Sequence, residues 1–307
     1  MRADSSGSAP RRAAWAPVAA LLEEAAWKLA LLAVNLPAAA FGSHERHVDI
    51  AYGDDPKHRL DAYVPDGAGA EARPLVVFWH GGGWNSGDKA EYRFVGAALA
   101  ESGYAAVLPN YRHYPQVLMP GFMEDAAHAA LWAAEHASAL GADPNRVYLM
   151  GHSAGAHLAA LLTLDTRYFA ATGRPAPRIA GVIGLSGPYD FLPLLEPDVR
   201  EIFGPPEQYA QSQPINFVRT GAPPMLLIHG STDGRVWPKN SVNLAAALRA
   251  CGADVTLKLY RERGHADTLA ALSIPARRRA PTLADIAAFI NPPRVQAACG
   301  TAGAGVA

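Results

Sequence analysis

Short apolar blocks alternate along the chain with longer stretches in which apolar residues recur at helical spacing. The blocks are typical of buried strands, and the longer stretches are typical of amphipathic helices. Strands are predicted at residues 48–52, 59–64, 75–79, 104–108, 147–150, 179–185, 225–230 and 255–260. Helices are predicted between them, at residues 90–102, 120–140, 156–164, 239–250 and 281–290. This alternation predicts an α/β fold with a mostly parallel central sheet and helices on both faces.

A serine stands between two glycines where one predicted strand meets the next helix. Residues 151–155 read Gly-His-Ser-Ala-Gly, directly after the strand at 147–150. This context suits a nucleophile elbow, because a sharp turn exposes the hydroxyl and larger side chains two positions away would clash. The N-terminus of the following helix also favours negative charge at the serine. Ser153 is therefore the candidate nucleophile, although short runs of this kind also occur by chance.

A run of glycines follows an earlier predicted strand. Residues 80–84 read His-Gly-Gly-Gly-Trp, at the end of the strand at 75–79. Successive glycines leave backbone N–H groups unhindered, and an oxyanion hole requires such donors. Gly82 and Gly83, together with Ala154 directly after the candidate nucleophile, are therefore predicted to donate the oxyanion hydrogen bonds.

An acid and a base occupy loops after two later strands. Asp233 comes just past the strand at 225–230, and His265 follows the last predicted strand. The chain order Ser, Asp, His is that of the α/β-hydrolase arrangement and differs from the orders of the chymotrypsin and subtilisin types. Asp190, past the preceding strand, is an alternative acid that we rank below Asp233.

Taken together, these motifs resemble the α/β-hydrolase carboxylesterases that carry an HGGG oxyanion loop, the hormone-sensitive-lipase-like group. The elbow reads GHSAGAHLA rather than the GDSAGGNLA common in the lipase-like branch. With HGGGW, Gly-Asp-Lys at 87–89 and Asn-Tyr-Arg-His-Tyr-Pro at 110–115, the chain is more similar to acetylxylan and feruloyl esterases, arylformamidases and prenylcysteine methylesterases. The resemblance implies a Ser-His-Asp triad that acts on a small-molecule ester without a cofactor. It also implies a structural ion pair between Asp88 and Lys89.

The resemblance and the predicted elements divide the chain into three parts. Residues 45–291 are predicted to form the catalytic domain, with a cap insertion at about 188–222, where a long segment rich in proline and aromatic residues separates two strands. Residues 1–44 are predicted to be a hydrophobic and amphipathic extension. Residues 292–307, rich in alanine and glycine, are predicted to be a disordered tail.

The substrate pocket is predicted between the glycine run and the cap insertion. Trp84 adjoins the glycines, and Tyr189 follows a predicted strand end, so both are expected to line the pocket. The apolar residues further along the insertion are explained as well by the packing of a cap helix as by contact with substrate.

Composition and charge exclude several other classes of function. The 307 residues carry a net charge of −1, which gives no electrostatic basis for binding nucleic acid. The histidines are scattered, and His44 and His47 have no third ligand near them, so no metal site is predicted. The two cysteines, Cys251 and Cys299, lack metal-ligand spacing. The oligomeric state is left open.

The N-terminal residues permit more than one interpretation. Residues 13–34 are dominated by Ala, Leu, Val and Trp, but Glu23, Glu24 and Lys28 interrupt them. The longest uncharged run, 29–41, is too short for a membrane span, and the two glutamates argue against a signal peptide. We expect an amphipathic helix on the catalytic domain or on a membrane surface, in a cytoplasmic protein. Export through a signal peptide is the alternative.

Three functional hypotheses follow. The first is a serine carboxylesterase that forms an acyl-enzyme on short-chain or aryl esters. The second is an arylformamidase, in which the same triad cleaves a formyl amide. The third is a catalytically silent hydrolase fold that serves as a receptor or scaffold, which the complete set of Ser153, Asp233, His265 and the glycine run disfavours.

Overall fold

The computed structural model describes residues 29, 32–36, 44–67 and 72–292. These residues form an eight-stranded sheet with the order β1-β2-β4-β3-β5-β6-β7-β8. The strands are β1 His44–Ala51, β2 Arg59–Pro65, β3 Arg73–Trp79, β4 Ala105–Pro109, β5 Ala142–His152, β6 Ile179–Leu185, β7 Met225–Gly230 and β8 Val255–Tyr260. β3 to β8 run parallel, whereas β2 pairs antiparallel with both β1 and β4. The predicted α/β fold with a mostly parallel sheet is confirmed.

Helices cover both faces of the sheet. They are α1 Arg93–Glu101, α2 Gly121–Glu135, α3 Ala154–Leu164, α4 Arg167–Ala171, α5 Pro197–Ile202, α6 Lys239–Ala250, α7 Asp267–Ala270 and α8 Thr282–Ile290. Side chains of α2, α3 and α6 pack in one hydrophobic cluster, and those of α1 and α8 pack in a second one. The sheet therefore separates two cores.

Strand β3 shows why the predicted strands are continuous apolar runs. Leu75 and Val77 belong to the first cluster, whereas Val76 and Phe78 belong to the second. Successive side chains of a strand point to opposite faces, and both faces of this sheet are covered. The inner positions of such a strand are therefore mainly apolar.

Most predicted elements agree with the structure, but one helix and two strands differ by four residues or more at one end, and β1 begins at His44 rather than at residue 48. α2 ends at Glu135 rather than at residue 140, because the chain then turns through a 3₁₀ segment, Ser138–Leu140, and through Gly141 at φ 65°. β5 accordingly begins at Ala142, where it pairs with Arg73 of β3.

The predicted domain bounds can be compared with the structure only in part. The segment between β6 and β7 contains α5 and two 3₁₀ segments, Pro206–Ser212 and Pro214–Phe217. Most of the predicted N-terminal extension, and the predicted tail beyond residue 292, lie outside the described residues. The domain bounds therefore stay predictions.

A buried carboxylate joins the edge of the sheet to the loop after the glycine run. The Asp61 side chain is fully buried, with Lys89 Nζ 2.7 Å from one carboxylate oxygen and Arg46 Nη2 2.7 Å from the other. Lys89 also lies 2.6 Å from Asp49. Asp88 instead accepts hydrogen bonds from Ala90 N and Asn110 Nδ2, both at 2.9 Å. The expected ion pair between Asp88 and Lys89 is therefore wrong.

Replacing Asp61 by asparagine should lower the free energy of unfolding by about 3 kcal/mol at neutral pH, because the buried Lys89 would lose a charged partner. Burial alone raises the pKa of Asp61, but the hydrogen bonds from Lys89 and Arg46 outweigh burial and lower this pKa. The stabilisation is therefore present above the ordinary carboxyl pKa of about 4 and is lost as pH falls through the lowered pKa.

Urea denaturation at several pH values measures this effect, with Asp254→Asn on an exposed loop as the matched control. The difference between Asp61→Asn and the unsubstituted protein should shrink in acid. Equal urea midpoints at neutral pH would contradict the account.

Candidate active site

The candidate nucleophile occupies a sharp turn between β5 and α3. Ser153 has φ 53° and ψ −121°, a conformation that non-glycine residues rarely adopt. Its N–H donates to the carbonyl oxygen of Leu185 in β6 at 2.9 Å, and its own carbonyl accepts from Ala156 N and His157 N. The neighbouring strand and the first turn of the helix thus hold this strained residue in place.

Two glycines make the turn sterically possible. A Cβ atom at Gly151 would overlap the carbonyl group of Gly155. A Cβ atom at Gly155 would overlap the backbone oxygen of Trp79, the last residue of β3. The absence of side chains at these two positions lets α3 begin directly against the end of β3.

The three residues predicted as a triad form a chain of hydrogen bonds. His265 Nε2 lies 2.9 Å from Ser153 Oγ, and His265 Nδ1 lies 2.8 Å from Asp233 Oδ2. Ser153 follows the C-terminal end of β5, Asp233 that of β7 and His265 that of β8. The Asp233 side chain is fully buried, and that of His265 is 17% exposed. A substrate can therefore approach the serine and the imidazole but not the carboxylate.

The environment of Asp233 fixes its charge and the tautomer of His265. One carboxylate oxygen accepts from Arg235 N at 3.0 Å and Val236 N at 2.9 Å, and the other also lies 3.2 Å from His229 Nε2. Burial raises the pKa of Asp233, but hydrogen bonds from His229 and His265 outweigh burial and hold this pKa well below its ordinary value. An ionised carboxylate only accepts hydrogen bonds, so Nδ1 of His265 carries a proton and Nε2 can accept one from Ser153.

The alternative acid, Asp190, has other partners. Its carboxylate accepts from Asn243 Nδ2 at 2.6 Å, and its backbone N–H donates to Asn240 Oδ1 at 2.8 Å. Both asparagines belong to α6. The partner of His265 Nδ1 is instead Asp233.

The glycine run passes directly beside the candidate nucleophile. A Cβ atom at Gly81 would lie 3.2 Å from Ser153 Cβ. Gly82 and Gly83, at φ 126° and φ 58°, then form a turn in which Ser86 N donates to Gly82 O at 3.0 Å. In the part of the chain that the structure describes, the N–H groups of Gly82, Gly83 and Ala154 donate to no protein acceptor. These groups are therefore free of protein acceptors among the described residues, as the predicted oxyanion donors must be.

Trp84 lies beside the glycine run under the segment between β6 and β7. Its indole N–H donates to His157 Nδ1 at 3.3 Å, and His157 Nε2 donates to the carbonyl oxygen of Ser212 at 2.7 Å. The Trp84 ring also stacks on Phe191 and contacts Phe203 edge-on, with ring centroids 5.9 Å and 4.8 Å away. Trp84 therefore joins the glycine run to the insertion, and only 5% of its surface is exposed.

Tyr189, the other residue predicted to line the pocket, is fully buried. Its phenol ring occupies the space beside Gly184 and Gly187, where a Cβ atom would overlap it. A ligand could reach this ring only by displacing its neighbours, so the structure places Tyr189 in the packed core beneath the site.

Two further histidines contact the triad. His152 Nε2 donates to the carbonyl oxygen of His265 at 3.1 Å, and burial lowers the pKa of His152 to about 3, so this ring is neutral at neutral pH. His229 contacts Asp233 from within β7. His229 stands in an apolar strand run, and no pattern in the sequence distinguishes it.

The charged residues near Lys89 line a separate pocket of about 400 Å³, which includes Arg46, Lys57 and Arg93. None of the three candidate triad residues lines this pocket, so the pocket is not the place where a substrate would meet Ser153.

The profile of the BD-FAE family matches residues 60–248, more than half of the chain. The chain belongs to the BD-FAE family. The isoprenylcysteine alpha-carbonyl methylesterase ICME of Arabidopsis thaliana is 33% identical over 248 residues, which are 74% of this chain and 58% of that protein. The chain thus spans little more than half the length of this curated relative.

Two other comparisons bear on the fold and on the alternative function. A propionate-bound structure of the thermophilic esterase Est2 from Thermogutta terrifontis matches with a TM-score of 0.66 and 26% identity, over 81% of this chain and 93% of that one. The kynurenine formamidase of Danio rerio is 29% identical over 226 residues, 71% of this chain and 74% of that enzyme. The fold is the α/β-hydrolase fold, as the motifs predicted.

Replacing Gly155 by alanine should lower the free energy of unfolding by about 3 kcal/mol, because the added methyl group would overlap the end of β3. Urea denaturation checks this expectation. Gly234→Ala is the matched control, because a Cβ atom there meets nothing within 4 Å. Equal urea midpoints for the two variants would contradict the close approach of Gly155 to the backbone of Trp79.

Proposed function

We propose that this protein is a serine carboxylesterase that hydrolyses small ester substrates through an acyl-enzyme on Ser153. The observation that carries the proposal is the chain of hydrogen bonds from Ser153 through His265 to Asp233, which lies beside three unused backbone N–H groups. This combination supplies a nucleophile, a base and stabilisation for the negative charge that develops on an ester oxygen. The esterase names of the relatives support the same activity.

In the proposed reaction, Ser153 Oγ attacks the ester carbonyl carbon while His265 Nε2 takes the hydroxyl proton. The N–H groups of Gly82, Gly83 and Ala154 bind the resulting oxyanion. The alcohol leaves with the proton from His265, and the acyl group stays on the serine. Water then attacks the acyl carbon while His265 takes a proton from it. His265 returns this proton to Ser153 Oγ as the carboxylic acid is released. Asp233 stays ionised and stabilises the imidazolium that forms twice in each cycle.

Esters take precedence over formyl amides as the substrate class. ICME, at 33% identity, is a methylesterase by name, whereas the kynurenine formamidase is more distant, at 29% identity. Within the esters, we propose short-chain or aryl esters, and the propionate-bound structure of the similar esterase Est2 supports a short acyl group. The intact hydrogen-bonded triad disfavours a silent scaffold.

The variant Ser153→Ala should hydrolyse p-nitrophenyl acetate at least about 10⁴-fold more slowly, and Asp233→Asn should lose about 10⁴-fold in kcat. Asp190→Asn is the matched control and should keep activity close to that of the unsubstituted protein, because Asp190 contacts α6 rather than His265.

The measurement is steady-state hydrolysis of p-nitrophenyl esters beside N-formylkynurenine. Unchanged ester hydrolysis by Ser153→Ala would refute the proposed nucleophile. A larger loss in Asp190→Asn than in Asp233→Asn would reassign the acid. Turnover of N-formylkynurenine with no ester hydrolysis would favour the arylformamidase alternative.

A further part of the proposal is contact with a membrane surface through the N-terminal residues. Residues 29 and 32–36 are helical. Asn35 docks this helix on the domain, because its side-chain amide donates to Glu91 O at 2.6 Å and accepts from Phe94 N at 3.0 Å. Val34 packs against the second core. The helix therefore contacts the catalytic domain, one of the two locations expected for it.

The other face of this helix is apolar and exposed. Leu29, Leu32 and Leu36 have 66%, 57% and 62% of their surface exposed. Their spacing of three and four residues places them on one side of a helix. Arg93, between the two residues that Asn35 contacts, is also exposed and lines the charged pocket near Lys89, where basic side chains outnumber the carboxylates of Asp49 and Asp88. Such a pairing suits an anionic lipid surface. Among the described residues, no helix combines the length and the apolar character of a membrane span.

Replacing Leu29, Leu32 and Leu36 together by serine should abolish most of the binding to phosphatidylserine vesicles and leave ester hydrolysis unchanged. The control replaces three other exposed leucines, Leu118, Leu195 and Leu259. Cosedimentation with vesicles is the measurement. Equal vesicle binding by the two triple variants would contradict membrane contact through this helix, as would no binding by the unsubstituted protein.

A further inference from the structure

We infer that His229 is a positioning residue for the reaction: it holds the carboxylate of Asp233 and thereby sets how strongly that carboxylate stabilises the protonated form of His265. This inference rests on the proposed function. His229 is the penultimate residue of β7 and is fully buried. It touches no substrate, and it acts through Asp233.

Both ring nitrogens of His229 have partners. Nε2 lies 3.2 Å from Asp233 Oδ2 and 2.8 Å from the carbonyl oxygen of Val236. Nδ1 lies 2.7 Å from Ser241 Oγ in the first turns of α6, and Ser241 is also fully buried. The ring therefore joins the acid loop to both β7 and α6.

The chemistry of these partners places one proton of His229. A carboxylate and a carbonyl oxygen only accept hydrogen bonds, so Nε2 carries hydrogen. Nδ1 accepts from the Ser241 hydroxyl when the ring is neutral and donates to it when the ring is charged. In either state, Nε2–H donates to the carbonyl oxygen of Val236, and Nε2 also lies 3.2 Å from Asp233 Oδ2, the same oxygen that accepts from His265 Nδ1.

Two imidazoles therefore share one carboxylate oxygen. The distance to His265 is 2.8 Å and that to His229 is 3.2 Å, so His265 has the shorter hydrogen bond. Without the His229 proton, His265 would be the remaining side chain that compensates the negative charge of Asp233, beside the backbone N–H groups of Arg235 and Val236. The protonated form of His265 would then be more stable, and a base must be unprotonated to accept the proton of Ser153.

His229 also fixes the position of the acid loop. Val236 N donates to Asp233 Oδ1 at 2.9 Å, and Val236 O accepts from His229. These bonds and the contact of His229 with Asp233 close a ring of three residues. Loss of the imidazole would open this ring and leave Oδ1 held by backbone N–H groups and Oδ2 held by His265 Nδ1 alone.

The other groups around His265 do not duplicate this role. The His152 ring centroid is 4.8 Å from that of His265, but His152 binds the His265 backbone oxygen rather than the acid. Asp267, on α7, accepts from Gly264 N at 2.8 Å and pairs with Arg279. Among the described residues, His229 is thus the side chain that shares Asp233 with the catalytic base.

The test compares three variants by their pH dependence of kcat/KM for p-nitrophenyl acetate. His229→Leu removes both nitrogens, and we expect kcat to fall about ten- to a hundredfold while KM stays within about twofold. The acidic limb of the profile should shift to higher pH. His229→Gln can place an amide N–H near the position of Nε2, so it should recover part of kcat and of the shift. Ser241→Ala leaves Nε2 in place and should resemble the unsubstituted protein.

A purely structural role would give a different result. If His229→Leu lowers activity with no shift of the acidic limb, or if His229→Gln is no better than His229→Leu, the inference is wrong. Circular dichroism and urea midpoints show whether each variant folds, and His229→Gln keeps the test decisive if His229→Leu does not.

A second measurement separates this inference from the proposed function. The low-field proton resonance of His265 Nδ1–H, measured by NMR without substrate, should move in His229→Leu and return toward its original position in His229→Gln. An unmoved resonance would overturn the inference. Failure of the unsubstituted protein to hydrolyse any ester would overturn the proposed function and leave the resonance as the measure of the His229 contact.

Discussion

The strained turn at Ser153 is the constraint on which the rest of the site depends. A non-glycine residue at φ 53° is unfavourable by itself, so its surroundings must hold it. The hydrogen bond to Leu185 in β6 fixes the serine from one side, and the start of α3 fixes it from the other. The tight packing of Gly155 against Trp79 brings the end of β3 to the same place. The glycine run that follows β3 therefore lies beside the hydroxyl.

The acid and the base reach this place because their strands are neighbours at the sheet edge beyond β6. The loops after β7 and β8 are joined to each other by backbone hydrogen bonds from Ser231 N to Tyr260 O at 2.9 Å and from Thr232 N to Arg263 O at 3.0 Å. A displacement of one loop would therefore move the other. The distance of 2.8 Å between Asp233 and His265 thus depends on backbone pairing as well as on the two side chains.

The sequence predicted the framework because its signals are local. Buried parallel strands are continuous apolar runs, and the glycines at 151 and 155 mark the turn since no other residue fits there. Strand order at the edge, by contrast, depends on long-range pairing. For this reason the predicted partner of Lys89, Asp88, was wrong. The observed partner, Asp61, lies in β2, 28 positions earlier in the sequence.

The unpredicted parts of the site are contacts between distant residues of ordinary appearance. His229 stands in an apolar run and differs from a core histidine only through the loop that folds back over it. Tyr189 follows a strand end, like a pocket residue, but the glycines at 184 and 187 leave room for its ring inside the core. Such contacts are decided by packing, which the pattern along the chain does not record.

The central claim is that Ser153 carries the acyl group during turnover. Rapid acid quench of the protein with p-nitrophenyl acetate, followed by mass spectrometry of the proteolytic peptides, tests it most directly. The account predicts an acetyl group on the peptide that contains Ser153, formed in a burst of p-nitrophenol release whose amplitude equals the enzyme concentration. Turnover with no acetylated peptide, or with the acetyl group on another residue, would contradict it.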